Sequence, residues 1–321
     1  MRKWRAGLWR KGVLGGITAL LAVQSAQAFE ADDERDLPLW EWGVGAGMLW
    51  GPAYLGSSVT RSHAAPLPYG VYRGDRLKAN REGIGFALLN DGSLRLDLSL
   101  SGALPVRSDG TAREGMRNLP PVLEIGPVLK YRFIADGPRY WAFHWPLRYA
   151  TGLDRGGAEK VGWISDPTLR IIEPIHGLGG RVDFGLDISA KFQSADFNNY
   201  YYSVADADVT PTRSAYRTGG GYSGLTVNTG LLWRGDNVVL GAFVGAIDLR
   251  GARFADSPLV ERRHNVFGGL AMFWVLDKSE KLAPRRPLKA RAADAADTAG
   301  TVDAAANPPA YAPSSGTPDG R

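Results

Sequence analysis

The chain has 321 residues, with 41 Gly, no Cys, four His and a net charge of +5. Without Cys there is no disulfide framework, no thiolate-ligated zinc or iron–sulfur centre and no thiol nucleophile, and four scattered His are too few for most imidazole metal sites. The charge is mild and lies partly in terminal segments, so it argues for no nucleic-acid partner, and nothing in the composition implies a cofactor.

In chain order, Arg2, Lys3, Arg5, Arg10 and Lys11 precede an apolar run from Gly12 to Val23, and Ala26-Gln27-Ala28 follows. A basic start, a short apolar run and an A-x-A pattern make a secretory signal over 1–28, cleaved after Ala28. The run is shorter than the roughly 20 residues a membrane helix needs. Residues 29–39, with an acidic stretch from Glu30 to Asp36, form a periplasmic leader. No later stretch is long and apolar enough for an α-helical span, which excludes that class of membrane protein.

The remainder alternates. Leu94, Leu96, Leu98 and Leu100 interleave with Arg95, Asp97 and Ser99, and Val182, Phe184, Leu186, Ile188, Ala190 and Phe192 interleave with Arg181, Asp183, Gly185, Asp187, Ser189 and Lys191. A period of two is the signature of strands, and helix signals are nearly absent. Strands are expected at about 40–50, 69–78, 82–89, 93–101, 121–134, 139–150, 161–172, 180–192, 199–205, 216–234, 238–249 and 264–275. Asn90-Asp91-Gly92, Asp136-Gly137-Pro138 and Gly235-Asp236-Asn237 supply turn chemistry between runs.

The first strand separates a soluble from a membrane barrel. Trp40, Trp42, Val44, Ala46, Met48 and Trp50 share one face, with aromatic residues at both ends of an apolar band. Ten tilted residues rise about 25 Å, the height of a lipid-facing belt between aromatic girdles. The expected fold is all-β, an antiparallel up-and-down transmembrane barrel of about twelve strands (ten to twelve) over 40–276, in contact with outer-membrane lipid. A periplasmic sandwich or lipocalin-like barrel is the alternative that alternation alone leaves open. With an even count and both termini in the periplasm, the connection 102–120 falls on the periplasmic side. Charged residues on the inward register, including Glu124, Lys130, Arg132, Arg148, Arg181, Asp183, Asp187 and Lys191, line a small channel or pair across it and block it.

Beyond Leu276 the composition changes. Lys278, Lys281, Arg285, Arg286, Lys289 and Arg291 face Glu280 alone, and Ala, Pro, Asp, Thr, Ser and Gly dominate thereafter. Residues 277–321 read as a disordered tail, basic and then Ala/Pro-rich, whose cations suit anionic cell-wall polymer such as peptidoglycan.

Taken in order, Trp42-Gly43-Val44-Gly45-Ala46-Gly47, Gly51-Pro52-Ala53-Tyr54-Leu55-Gly56-Ser57, Tyr72-Arg73-Gly74-Asp75, Arg113-Glu114-Gly115-Met116, Glu124-Ile125-Gly126-Pro127, Tyr201-Tyr202-Ser203-Val204 and Asp256-Ser257-Pro258-Leu259-Val260 carry a resemblance. Together they are similar to the MipA/OmpV family of outer-membrane proteins over about 40–275. The resemblance implies a barrel in the Gram-negative outer membrane and no catalytic residues. It also implies partners, since the named member is a scaffold between a murein lytic transglycosylase and a bifunctional penicillin-binding protein.

Most motif residues have structural roles to fill. Gly51, Pro52, Tyr54 and Gly56 follow the first expected strand, and Arg73, Gly74 and Asp75 fall within the second. Gly115, beside Arg113 and Met116, serves a backbone conformation that other residues resist. Pro258 bars a regular ladder, so Asp256, Ser257, Leu259 and Val260 form an ordered loop or lumen plug rather than a catalytic Asp-Ser pair. A hydrolase would need a His beside a Ser, but His63 and His264 fall in or near loops, His176 in a turn and His144 on the lumen face. The function that the resemblance implies, with no such pair against it, is a non-enzymatic scaffold linked to peptidoglycan turnover and synthesis. A small-solute channel or adhesin is the alternative.

Overall fold

A computed structural model describes residues 37–74, 77–80, 83–91, 93–136, 139–154, 156–175 and 181–283. The signal segment 1–28, most of the leader and the tail from 284 lie outside the described residues.

The strands are β1 (Trp40–Pro52), β2 (Thr60–Arg73), β3 (Leu77–Asn80), β4 (Gly83–Asp91), β5 (Leu94–Ala103), β6 (Val122–Asp136), β7 (Arg139–Pro146), β8 (Arg148–Asp154), β9 (Gly157–Ser165), β10 (Thr168–Ile175), β11 (Arg181–Gln193), β12 (Gly221–Arg234), β13 (Val238–Asp248) and β14 (His264–Lys278). One α-helix, α1 (Ala195–Tyr202), is present among the described residues. Apart from β7 with β8 and β9 with β10, each strand pairs antiparallel with its neighbours in sequence, and β1 pairs with β14 from Glu41↔Lys278 to Trp50↔Gly268, which closes the sheet into a ring.

The fourteen strand segments make twelve crossings. β7 and β8 are halves of one strand, and so are β9 and β10, because one register continues across both breaks: His144 lies opposite Thr168 and Arg148 opposite Ile164. Pro146 and Pro167 sit at these breaks, where a residue without an N–H cannot complete the ladder.

Alternation resolves as the sequence requires. Trp42, Val44, Met48, Leu129, Tyr131, Leu231, Val244, Leu270 and Trp274 are exposed on the outer face, while Glu41, Arg95, Asp97, Glu124, Arg148, Asp183 and Asp187 are buried inside. All eight inward charges expected from the pattern are inward or half-buried, and most sit beside a charge of opposite sign. Arg148 meets Glu124 at 3.0 Å and Asp166 at 2.7 Å, Lys191 approaches Asp166 at 3.9 Å, Arg170 meets Asp187 at 2.8 Å and Lys130 meets Asp97 at 3.5 Å. Charges removed from water persist only when paired in this way.

The opposite arc of the interior is apolar, with Leu67, Tyr69, Val71, Leu232, Val239, Ala271 and Phe273 in one cluster. Inward glycines of β1 make room for it. A methyl group on Gly45 would fall 2.2 Å from the Met272 carbonyl oxygen and 2.4 Å from the Phe273 ring.

Three expectations are corrected. Residues 60–68 form most of β2, although Pro66 and Pro68 hide its pattern; both prolines occupy positions whose N–H would point away from β1, as the bond from Arg73 N to Leu39 O sets the phase. The run expected as strand 69–78 ends at Arg73, and β3 follows as a separate strand joined to β2 only at Tyr72↔Ala79 and Arg73↔Lys78. Residues expected as strand 199–205 belong mainly to α1. One strand gained and one lost keep the count at twelve, but strand parity changes between them. The connection 104–121 therefore lies at the end opposite the termini, together with 53–59, 194–220 and 249–263, and not at the terminus end.

Introducing Arg at Leu129, outward and midway along β6, is expected to cost about 2–4 kcal/mol. Gly45→Val is expected to lower stability through the contacts above while keeping the lipid face unchanged. Urea titration of heat-modifiable gel mobility after refolding measures both, and a cheap Leu129→Arg with loss of neither band would contradict the inside–outside assignment.

Candidate functional site

The four long connections pack against one another across the loop end as a cap. Its core joins Tyr54, Val106, Leu119, Tyr202, Val204, Ile247, Leu249, Ala252, Phe254, Ala255 and Leu259, drawn from all four. Met116 and Val260 pack against it.

Helix α1 anchors the cap to the wall. Ser194 caps its start by accepting from Phe197 N at 3.2 Å. Phe197 then packs on Val122, Ala150, Val161 and Ile164, which face inward on β6, β8 and β9. At the other end of the helix, Tyr202 stacks on Phe254 with centroids 3.7 Å apart and planes 4° from parallel. Its hydroxyl donates to the Leu55 carbonyl at 3.1 Å.

Motif residues tie the loops by bonds to main chain. Arg113, 2% exposed, donates to the Tyr201 carbonyl. Tyr54 donates to Leu259 O at 2.9 Å, and Ser257 donates to Tyr202 O at 2.8 Å. The Gly56 carbonyl accepts from Glu261 N and Arg262 N, and its N–H donates to Asn265 Oδ1 at 2.8 Å. Gly56 has φ +91°, and a Cβ there would meet Val260 at 3.1 Å, so both conformation and space select glycine. Gly115, at φ +83°, matches the conformational role assigned from its sequence context. Gly51 underlies Phe267, whose Cβ a methyl would meet at 3.0 Å, and Pro52 ends β1.

One motif segment among the candidates lies elsewhere. Arg73 is at the terminus end, where it donates to Glu41 Oε1 at 3.0 Å and to the Pro38 carbonyl at 3.0 Å, and Arg234 and Tyr69 reach Glu41 Oε2 at 3.0 and 2.7 Å. Gly74 is buried beside it, and Asp75 is outside the described residues. Asp256 and Ser257 do not act together: Asp256 faces solvent and accepts from Arg263 at 2.9 Å, whereas Ser257 is buried. His144 is a lumen residue bonded to the Tyr140 hydroxyl at 2.8 Å. His264 lies 3.5 Å from Asp248, His63 is on β2, and His176 is outside the described residues.

Sequence reasoning missed Arg213, Asn198, Asn265 and Phe254. Arg213 gathers the carbonyls of Ala112, Glu114 and Asp208 at 2.8–2.9 Å, linking two loops far apart in sequence. Nothing local marks such a contact. The start of α1 did leave a signal, Ser194 followed by Asp196, which the aromatic run Tyr200-Tyr201-Tyr202 obscured by resembling a strand.

Burial shapes the cap's titration. The Tyr54 hydroxyl is pushed up to about 12, first by burial and then by Glu261. Burial raises Tyr202 further and lowers Arg113 from the usual guanidinium range.

By sequence the chain is similar to known proteins. A family model described as MltA-interacting protein MipA matches residues 44–276. Outer membrane protein Omp26La of Vibrio anguillarum is 27% identical over 189 residues, 57% of this chain and 66% of that protein, just under two thirds of its length.

Arg113→Ala is expected to cost the cap about 1.5–3 kcal/mol, the worth of a hydrogen bond to a charged group, read as faster protease cleavage within 104–121. Tyr54 gives a pH dependence. Its folded value lies above the roughly 10 of an unfolded Tyr, so its contribution is complete below pH 10 and is lost as pH rises through about 12. Phenolate absorbance with parallel proteolysis checks this; Tyr54→Phe should remove that part of the alkaline opening.

Proposed function

The chain belongs to the MipA family, and from that premise we propose that it is a non-enzymatic scaffold of the Gram-negative outer membrane, linked to peptidoglycan turnover and synthesis. A barrel with an apolar outer belt and a relative described as an outer membrane protein support the location. The family description, MltA-interacting protein, supports a lytic transglycosylase as partner, and a bifunctional penicillin-binding protein follows from the same resemblance.

One observation carries the non-enzymatic part. Arg113, Tyr54 and Ser257, the motif side chains best suited to chemistry, are spent on main-chain carbonyls that hold the cap together. A catalytic group needs a free reacting atom aimed at substrate, and these atoms are aimed at backbone.

Long loops of such barrels face outward and short turns face the periplasm. On that rule the cap is extracellular, and a periplasmic partner meets the short turns and the ribbon in which Leu39 N donates to Lys281 O and Ala283 N to Leu37 O. The basic run from Lys278 to Arg291 begins at this ribbon and supplies charge for a peptidoglycan or protein surface.

The channel reading is favoured by the charged inner wall, and the pairing of those charges opposes it. Purified mature protein in detergent should retain purified lytic transglycosylase, less so when residues 285–321 are deleted and equally when Arg113 is Ala. Retention by neither form, with stepwise conductance in planar bilayers, would replace the scaffold with a pore.

A further inference from the structure

The wall has a built interruption midway along two neighbouring strands. Between the pairs His144↔Thr168 and Arg148↔Ile164, no backbone hydrogen bond joins 145–147 to 165–167. Leu147 N bonds to Pro127 O on β6, and Pro167 O accepts from Ala190 N on β11, so both segments hold their outer neighbours. By alternation, Pro146 is the residue whose N–H would cross to Asp166, and proline has none.

Side chains take the ladder's place. On the lipid side Trp145 Nε1 donates to Ser165 Oγ at 3.2 Å, and that hydroxyl donates to the Pro146 carbonyl at 2.8 Å. On the lumen side Arg148 Nη2 meets Asp166 Oδ1 at 2.7 Å. The irregularity is accommodated by Gly126, a motif residue with no role in the cap: a Cβ there would lie 2.0 Å from the Leu147 carbonyl oxygen and 2.8 Å from Arg148 Cα. Interruptions supported this way are features of a fold rather than defects.

We propose that the wall parts here, between β7–β8 and β9–β10, to admit one acyl chain of a membrane amphiphile with an anionic head group. Position sets the occupant's tail: midway along a lipid-facing strand, what borders the seam from outside is hydrocarbon, and Trp145, Leu147 and Trp163 are exposed beside it. Charge sets the head. As the strands separate, Asp166 leaves with Lys191, its partner at 3.9 Å on the same side of the seam, while Arg148 keeps Glu124 through Nε at 3.0 Å. The Nη2 edge of Arg148 then faces the opening and takes a carboxylate or phosphate oxygen in place of Asp166. The cap across the loop end leaves such a molecule a sideways route into the lumen.

The absence of native Cys makes the test direct. The shared register places Leu147 opposite Ser165 in a non-hydrogen-bonded pair, about 4.5 Å between Cα atoms in a regular sheet and within disulfide range. Leu147→Cys/Ser165→Cys is refolded in detergent and incubated with palmitate or with a lysophosphatidic acid, and retained amphiphile is counted by native mass spectrometry. The reduced protein should hold one molecule and the oxidised protein about tenfold less, with retention restored by reductant, so that misfolding cannot mimic the result. Wild type serves as reference, and Arg148→Gln should weaken retention of either probe. Palmitate alone identifies a carboxylate ligand, and lysophosphatidic acid alone a phosphate. Equal retention by oxidised and reduced forms, or none by wild type, overturns the proposal. The scaffold reading is untouched by either result, since transglycosylase capture does not involve the seam.

Discussion

Every backbone N–H and C=O that crosses hydrocarbon must find a partner within the chain, and this requirement governs the rest of the molecule. The seam between β1 and β14 serves it by turning a sheet with two open edges into a ring. Once the ring closes, the outer face is fixed as apolar and the inner face must absorb every charge the strands carry. Those charges are numerous on β5, β6, β8, β10 and β11, so they are arranged as neighbours of opposite sign. The pairing offsets desolvation; it is not a source of large stability in its own right.

The other arc solves a different problem. Between β12 and β2 the interior is filled by aromatic and aliphatic groups, and β1 contributes glycine at the positions they overlie. A side chain at Gly45 would compete for the space Phe273 fills, so the alternation of Gly with Trp, Val and Met along β1 specifies lipid outside and a packed ring inside at once. That strand was the most informative in the sequence for this reason: both of its faces are constrained.

Legibility fell where one constraint was missing. β2 carries Pro66, Pro68 and small residues because its far side has little of β3 to pair with, and a strand paired on one side needs no alternating pattern of bulky groups. The segment 199–205 read as strand because three consecutive tyrosines suit a pleated surface as well as a helix packed between two walls. These two misassignments left the strand count at twelve and inverted the side of every connection between them. In an up-and-down barrel, side is set by parity, so a correct total gives no protection against a wrong sidedness. The cap itself was legible only as a set of motifs, since contacts such as Arg213 with Ala112 join residues that no local pattern relates.

Parity also separates the molecule's two polar surfaces. The cap and the ribbon at 37–40 and 279–283 lie at opposite ends of every strand, so neither shares a side chain with the other. A change in one reaches the other only through the wall, and a closed ladder transmits little because its strands are held in fixed register. Two places depart from this: the short join of β2 to β3, and the interruption at Pro146 and Pro167, where two side-chain contacts replace the ladder and register is held from the flanks. At the second of these, proline removed a donor and Gly126 leaves room for the Leu147 carbonyl. Part of the cost of that interrupted pair inside a bilayer is met by Ser165, whose hydroxyl donates to the Pro146 carbonyl in place of the Asp166 N–H that would reach it in a regular ladder.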